Sequence, residues 1–345
     1  MASHSNRKEC RICGNESGNH LHQAREMFFG TRDPFTYIEC AACGTVQIET
    51  VPNLAPYYAN NYYSFQPVRE KERSQGVLQA SLRPLGAVIR RRAADYYRGR
   101  RSVVTNFLFG WASKQAPHLL VGFPEYLKET SLDLLPGRVA RILDVGSGAG
   151  QTLVSLSHFG YRELVGVDPF VETDIEYGSG VRVLKLGLAE VTGQFDLVLA
   201  NHTIEHLPEP RTALKEIFRL LKPGRYAVVR IPIVSYAWRK YGTNWVQLDP
   251  PRHLFLFTAE KFSKLATAAG FEVKKIRYDS NAFQFWGSEQ YVRNVPLMDE
   301  RSYFVNAGNS LFTAEQIVAY ATEATELNAR GEGDQAAFYL RKPAL

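Results

Sequence analysis

The sequence predicts an α/β protein in which a mostly parallel sheet is covered by helices on both faces. A small cysteine-rich unit precedes this core, with a helical linker between the two. Three observations predict this. From residue 138 apolar strand-like runs alternate with helical stretches, the pattern of strands joined by crossover helices. A glycine-rich turn, LDVGSGAG at 143–150, falls between one such strand and one such helix. All four cysteines lie before residue 44, outside that alternation. The 345 residues divide accordingly into a cysteine unit with a tyrosine-rich segment (1–66), a basic helical linker (67–135), the α/β core (136–290) and a C-terminal helical extension (291–345).

Composition sets the outer bounds. With 45% hydrophobic and 12% aromatic residues the chain has ordinary globular make-up, which excludes a disordered or low-complexity protein. No run approaches the length of a membrane-spanning helix, and Met1 to Cys10 lack the apolar stretch of a secretory leader. A soluble cytoplasmic protein is expected.

Cys10, Cys13, Cys40 and Cys43 form two Cys-x-x-Cys pairs, CRICG and CAACG. One tight turn can present two thiolates to a cation, and the glycine after each pair lets the backbone turn beneath it with positive φ. Four thiolates complete a tetrahedron, so a zinc ion here is expected to hold structure and leave no open position for chemistry. Disulfides are the alternative, but they need an oxidising compartment that nothing in the sequence suggests. A redox pair would leave the second pair redundant.

The tyrosine-rich stretch PYYANNYYSF follows at 56–65, and then the charge. Residues 69–101 hold ten basic and three acidic side chains, which accounts for the whole net charge of +6 and leaves the remainder near neutral. Leu78, Leu82, Leu85, Val88, Ile89 and Ala93 recur mostly every three or four residues, a helical pattern expected to be interrupted at Pro84. A solvated helix face explains such a segment. An anionic membrane surface or a phosphorylated substrate is the partner it would suit, and its local character disfavours nucleic acid.

In the core, strands are expected at Ala140–Val145, Leu164–Val167, Val181–Leu186, Leu197–Ala200, Tyr226–Ile231 and Phe271–Arg277, with a last edge strand over 281–286. Helices are expected at Gln151–Phe159, Thr212–Leu221 and Ala259–Ala269, the third between an N-cap at Thr258 and a stop at Gly270. Gly146, Gly148 and Gly150 let a ligand approach the backbone, and the next helix offers its positive end. Asp168 closes the following strand, where a carboxylate can accept both hydroxyls of a ribose. The spacing is G-x-G-x-G, not the G-x-G-x-x-G of dinucleotide sites. Asp144, just before the turn, is a poor neighbour for pyrophosphate and a good one for an amino-bearing ligand.

LDVGSGAG, VGVDP, FDLVLANHTIEHLPEP and LLKPG together resemble the class I S-adenosylmethionine-dependent methyltransferases over residues 138 to about 280. The resemblance implies a Rossmann-like seven-stranded sheet whose last strand is antiparallel. It places Gly146, Gly148 and Gly150 under the methionine part of S-adenosylmethionine, Asp144 at its amino end and Asp168 on its ribose. Asn201 joins that set, and Glu190 stands in for the acid that usually holds the adenine amino group, since Leu188 occupies the usual place. The cysteine unit, here zinc-ribbon-like, with its paired tyrosines, is similar to that of bacterial methyltransferases of sugar and surface-glycan pathways. That similarity implies methyl transfer to a hydroxyl of a nucleotide- or lipid-linked sugar. Some of those enzymes methylate carbon through a histidine in an E-H-x-x-x-F context. RHLFLF places His253 there, but Asp249-Pro250-Pro251-Arg252 before it lacks their tyrosine and glutamate. His253 and His202 are the candidate bases, because histidine titrates near neutrality; His206 matches a common family position and reads as structural. Tyr63, Trp245 and Arg252 are candidate substrate contacts. The alternatives are a sugar C-methyltransferase, an RNA methyltransferase gripping phosphates through the zinc unit and residues 69–101, and a cofactor-binding module without catalysis.

Overall fold

The computed structural model describes residues 9–58, 63–66, 68 and 77–344. The first unit is a hairpin of β1 (His20–Arg25) and β2 (Pro34–Glu39), followed by β3 (Val46–Ile48). Helices α1 (Val77–Tyr97) and α2 (Val103–Gln115) form the linker. The core then runs β4 (Arg141–Val145), α3 (Gln151–His158), β5 (Glu163–Val167), β6 (Ile175–Glu176), β7 (Arg182–Leu184), β8 (Phe195–Asn201), α4 (Pro210–Leu220) and β9 (Leu221–Pro232). It continues through α5 (Tyr236–Tyr241), β10 (Phe255–Leu256), α6 (Ala259–Ala268), β11 (Glu272–Tyr278), α7 (Phe283–Val292), α8 (Ala314–Arg330) and β12 (Gln335–Arg341).

The main sheet has eight strands, not seven, in the order β11-β12-β9-β8-β4-β5-β7-β6. β9, β8, β4, β5 and β7 run parallel, as short runs joined by crossover helices must. The strand beyond seven is β6, two residues that pair antiparallel with β7 at the edge. β12 is antiparallel to both β9 and β11. It comes from 335–341, so the last strand expected over 281–286 is a correction. Residues 283–292 are helical instead, and seven of the ten are buried, too many for the one-sided burial of an edge strand. The 291–345 segment is thus not only a helical extension, for it returns into the sheet.

Two further expectations give way. α1 runs through Pro84 without interruption, the forfeited hydrogen bond being outweighed by burial of Ile89, Ala93, Ala94 and Tyr97 further along the helix. The cysteine unit is also not a separate body. Its sheet has the order β1-β2-β3-β10, so its last strand comes from the core chain. Cys10, Ile12 and Tyr37 share one apolar cluster with Ile231, Phe255 and Phe257, and the buried Tyr37 hydroxyl donates to the His253 carbonyl at 2.8 Å.

Candidate active site

The site lies at the carboxyl ends of β4, β5 and β8. After Val145 the chain turns through Gly146, Gly148 and Gly150, at φ 68°, 52° and 85°. Space also demands glycine: a Cβ at Gly146 would lie 2.5 Å from Thr203 Oγ1, and one at Gly148 only 2.3 Å from the Ser64 carbonyl oxygen. That carbonyl accepts a hydrogen bond from the Ala149 N–H at 2.7 Å, so the segment after the cysteine unit closes over the glycine turn. α3 then begins at Gly150 without a side-chain cap, which leaves the positive helix end turned to the loop.

Two carboxylates flank this turn and differ in what holds them. Asp168 is buried, and its oxygens accept from the Gly148 and Phe170 N–H groups, each at 2.9 Å. Burial raises its carboxyl, and those two donors pull it back. Each oxygen keeps a lone pair for a hydroxyl. Asp144 is also buried but has no hydrogen-bond partner among the described residues. Burial, with the charge of Asp168 added, pushes its carboxyl up to about 8. A carboxyl so placed stays neutral or meets a cation. Phe170, two residues past Asp168, stacks on Tyr58 at 5.2 Å and makes an aromatic wall.

Asn201 ends β8 and donates to the Tyr126 hydroxyl at 2.6 Å, while its own Oδ1 is buried without a donor. Glu190 does not reach the cradle: it is exposed and accepts from the Gly187 N–H at 2.6 Å, closing its own turn. The structure therefore brings Asp144, the three glycines, Asp168 and Asn201 together and leaves Glu190 out.

The histidines occupy distinct settings. His202 follows β8 in the left-handed region, at φ 48°, and a third of its side chain is exposed. Its Nδ1 lies 3.2 Å from Oε1 of Glu205, a fully buried carboxylate. The approach is close but poorly aligned, and neither Glu205 oxygen has a well-directed donor. Burial alone would raise the Glu205 carboxyl, but His202, His206 and His253 around it hold it below its ordinary value. His206 and His253 stand face to edge with ring centres 4.6 Å apart. His206 Nδ1 is 2.9 Å from the Arg252 carbonyl, and His253 Nδ1 is 2.7 Å from that of Gln247. A carbonyl only accepts, so the His253 ring carries its proton on Nδ1 and its Nε2 lies 3.9 Å from Asp249 Oδ2, while His206 Nδ1 also lies 3.1 Å from the Tyr58 hydroxyl. Burial and the neighbouring His253 push His206 down to about 4, so it is neutral. Glu205, His206 and His253 each offer one ligand atom within 4.8 Å of the others, close enough to share a proton or a cation.

The expected substrate contacts are corrected. Trp245 is fully buried in the main apolar cluster and donates to Asp334 Oδ2 at 2.9 Å. Arg252 is fully buried too, ion-paired with Asp249 and laid over the Phe28 ring at 4.2 Å. Both are removed from any acceptor. The Tyr63 side chain lies outside the described residues. Glu205, Tyr58, Ser64 and Tyr126 are the site residues that motif reading missed; only Glu205, three residues after His202, had a readable signal in its spacing.

The four cysteine sulfurs converge, with Cys10 to Cys43 at 3.7 Å and Cys13 to Cys40 at 3.5 Å. Gly14 and Gly44 turn the backbone at φ 76° and 67°. This donor set suits a tetrahedral cation.

Residues 115–276 match the family model described as a methyltransferase domain, a stretch containing the glycine turn, both acids and all three histidines. The chain thus carries a methyltransferase domain of the S-adenosylmethionine-dependent class. Over 112 residues it is 33% identical to the ubiquinone biosynthesis O-methyltransferase of Xanthomonas oryzae pv. oryzae, a match covering 28% of this chain and 47% of that protein. Over 144 residues it is 27% identical to the protein of the same name from Xylella fastidiosa, covering 38% and 57%. The chain spans about half the length of these curated relatives. A solved S-adenosylmethionine-dependent methyltransferase of Thermotoga maritima is similar over 68% of this chain and 96% of its own, at 21% identity and a TM-score of 0.38.

Proposed function

We propose that the protein transfers a methyl group to a hydroxyl of a small-molecule acceptor, with His202 as the base. The observation carrying this reading is the pairing of a part-exposed histidine with a buried carboxylate at the rim of the glycine turn. The cofactor supplies a methyl group on a sulfonium, a leaving arrangement that needs only an aligned nucleophile. The chain's residues do the rest. The glycine turn would pass under the methionine part, Asp168 would hold the ribose, and Asp144 would meet the ammonium. His202 Nδ1 faces Glu205, so its Nε2 is the nitrogen left to take the acceptor's proton, and the buried carboxylate stabilises the imidazolium that forms. His253 and His206 lie deeper, each with its Nδ1 already engaged by a backbone carbonyl, which favours His202 over His253 as the base.

An oxygen acceptor agrees with the relatives, which are named O-methyltransferases. A nucleotide- or lipid-linked sugar is the acceptor class we assign, on the strength of the cysteine unit; Trp245 and Arg252 no longer support it. We assign structural zinc to the four cysteines, because bonds of about 2.3 Å put tetrahedral sulfurs roughly 3.8 Å apart, close to the observed separations.

The test is methyl transfer from labelled cofactor to a panel of nucleotide sugars, lipid-linked glycans and phenols. His202→Ala should lower kcat about 100- to 10,000-fold while cofactor affinity holds. Asp168→Ala should do the converse, weakening cofactor binding about 10- to 100-fold. Full turnover by His202→Ala removes His202 as the base.

A further inference from the structure

α2 carries apolar side chains on both faces, a composition that a helix shows when both faces are covered. Its inner face is covered: Ala112 is buried, and Phe109 stacks on Tyr96 at 4.0 Å. Its outer face is open. Val103, Phe107 and Trp111 follow one another at four-residue steps and are 86%, 70% and 43% exposed, with Val104 beside them. The other three tryptophans of the chain are buried.

At the start of this stripe lies a cavity of about 510 Å³ lined by Arg92, Asp95, Arg100, Arg101, Ser102 and Arg138. Its one carboxylate is already engaged. Asp95 takes two hydrogen bonds from Arg138 Nη2, at 2.8 and 2.7 Å, and pairs with Arg98 Nη1 at 3.2 Å. No ion pair among the described residues involves Arg92, Arg100 or Arg101, and Arg101 instead rests over the Tyr96 ring at 5.0 Å. The cavity therefore keeps an excess of guanidinium, and the apolar stripe begins at its rim.

We propose that this face docks on an anionic bilayer, with a lipid phosphate in the arginine cavity and the outer face of α2 among the acyl chains. The two features belong together because one molecule satisfies both. A phosphate supplies the charge the cavity lacks, and its attached chains cover Phe107 and Trp111. A soluble anion would leave the stripe uncovered. A neutral apolar partner would leave the arginines unpaired. This surface is independent of the methyl-transfer reading, since none of its residues belongs to the cradle.

The experiment uses the full chain and sedimentation with vesicles, either of phosphatidylcholine alone or of phosphatidylcholine and phosphatidylglycerol in equal parts. The protein should pellet with the mixed vesicles at low salt, remain in solution with the neutral ones, and lose binding as salt rises. Trp111 emission should shift to the blue and be quenched by bromine-labelled acyl chains, while Trp111→Phe abolishes that quenching. R100E with R101E, and separately F107S with W111S, should each reduce binding at least tenfold while cofactor affinity is unchanged. Equal sedimentation on both vesicle types overturns the proposal. So does vesicle-independent dimerisation that F107S with W111S abolishes, which would make the stripe a contact between two copies.

Discussion

The cysteine unit and the linker helices both precede the core in sequence, yet the structure treats them differently. The unit surrenders its independence: its sheet is completed by β10, and Tyr37 holds the carbonyl of His253. The linker packs one face of α1 and α2 and leaves the other face of α2 in solvent. Each nevertheless reaches the site through a tyrosine hydroxyl bonded to one of its residues, Tyr37 to the His253 carbonyl and Tyr126 to Asn201, while the Tyr58 ring stacks on Phe170. What separates the regions is how much of the site falls with each. A region that shares a strand with the core cannot unfold alone, whereas one that only packs against it can present a surface to a partner.

The largest expected effect breaks the unit. Structural zinc in small modules contributes about 10–16 kcal/mol of apparent binding energy, so Cys40→Ser or a strong chelator should unfold residues 9–58. Because β10 pairs with β3, the loss should spread to the loop carrying His253, and thermal melting should fall for the whole protein. Metal analysis should find one zinc per chain in the parent and none in the variant. By contrast, the doubly substituted R100E and R101E protein should melt as the parent does. Equal melting of Cys40→Ser and the parent would show that the unit is only an appendage.

An intermediate effect concerns Asp144, near Tyr126 of the linker. Its carboxyl is pushed up to about 8 from the ordinary 3.8 by burial and by Asp168. The folded state thus binds a proton that the unfolded chain has already released, and the stability this contributes is complete below pH 3.8 and lost as pH rises through about 8. Asp144→Asn removes the titration. Its advantage in melting temperature over the parent should grow between about pH 4 and 8 and level off above, as thermal scans across buffers will show. The same change should weaken cofactor binding. In the parent, binding near pH 7 should release a proton as Asp144 ionises beside the ammonium, which calorimetry in buffers of different ionisation enthalpy can count. An unchanged proton count in the variant would remove Asp144 from the cradle.

Much of this was legible because local chemistry dictated it. Alternation, glycine spacing and an acid at a strand end all follow from backbone demands, and LDVGSGAG and Asp168 sit where those demands place them. The failures share a different cause. Trp245 and Arg252 are residue types that bind sugars and phosphates, but the same types fill cores, and only tertiary packing separates the two uses. β12 lies more than a hundred residues from its partner β9, so no local pattern could pair them. Glu190 was an acid near the expected place whose own turn claimed it first. Glu205 carries only a spacing signal, three residues after His202, because a carboxylate that will be buried reads in sequence like any other glutamate.

The smallest expected effects sharpen the comparison, since each region's tyrosine loses one hydroxyl. Tyr126→Phe leaves the Asn201 amide without its acceptor beside a buried Oδ1 that already lacks a donor. A buried amide so stranded costs about 1–3 kcal/mol. Asn201 lies at the end of β8, next to His202, so the loss should appear in cofactor affinity and turnover, with a modest fall in melting. Tyr37→Phe strands the His253 carbonyl at a similar cost of about 1–3 kcal/mol, but it does so where the cysteine unit joins the core. It should therefore lower melting and leave cofactor affinity intact. Melting curves and calorimetric titrations of the two variants side by side decide the matter. If both change affinity equally, the unit reaches the cradle as directly as the linker does, and the distinction between a brace and a surface fails.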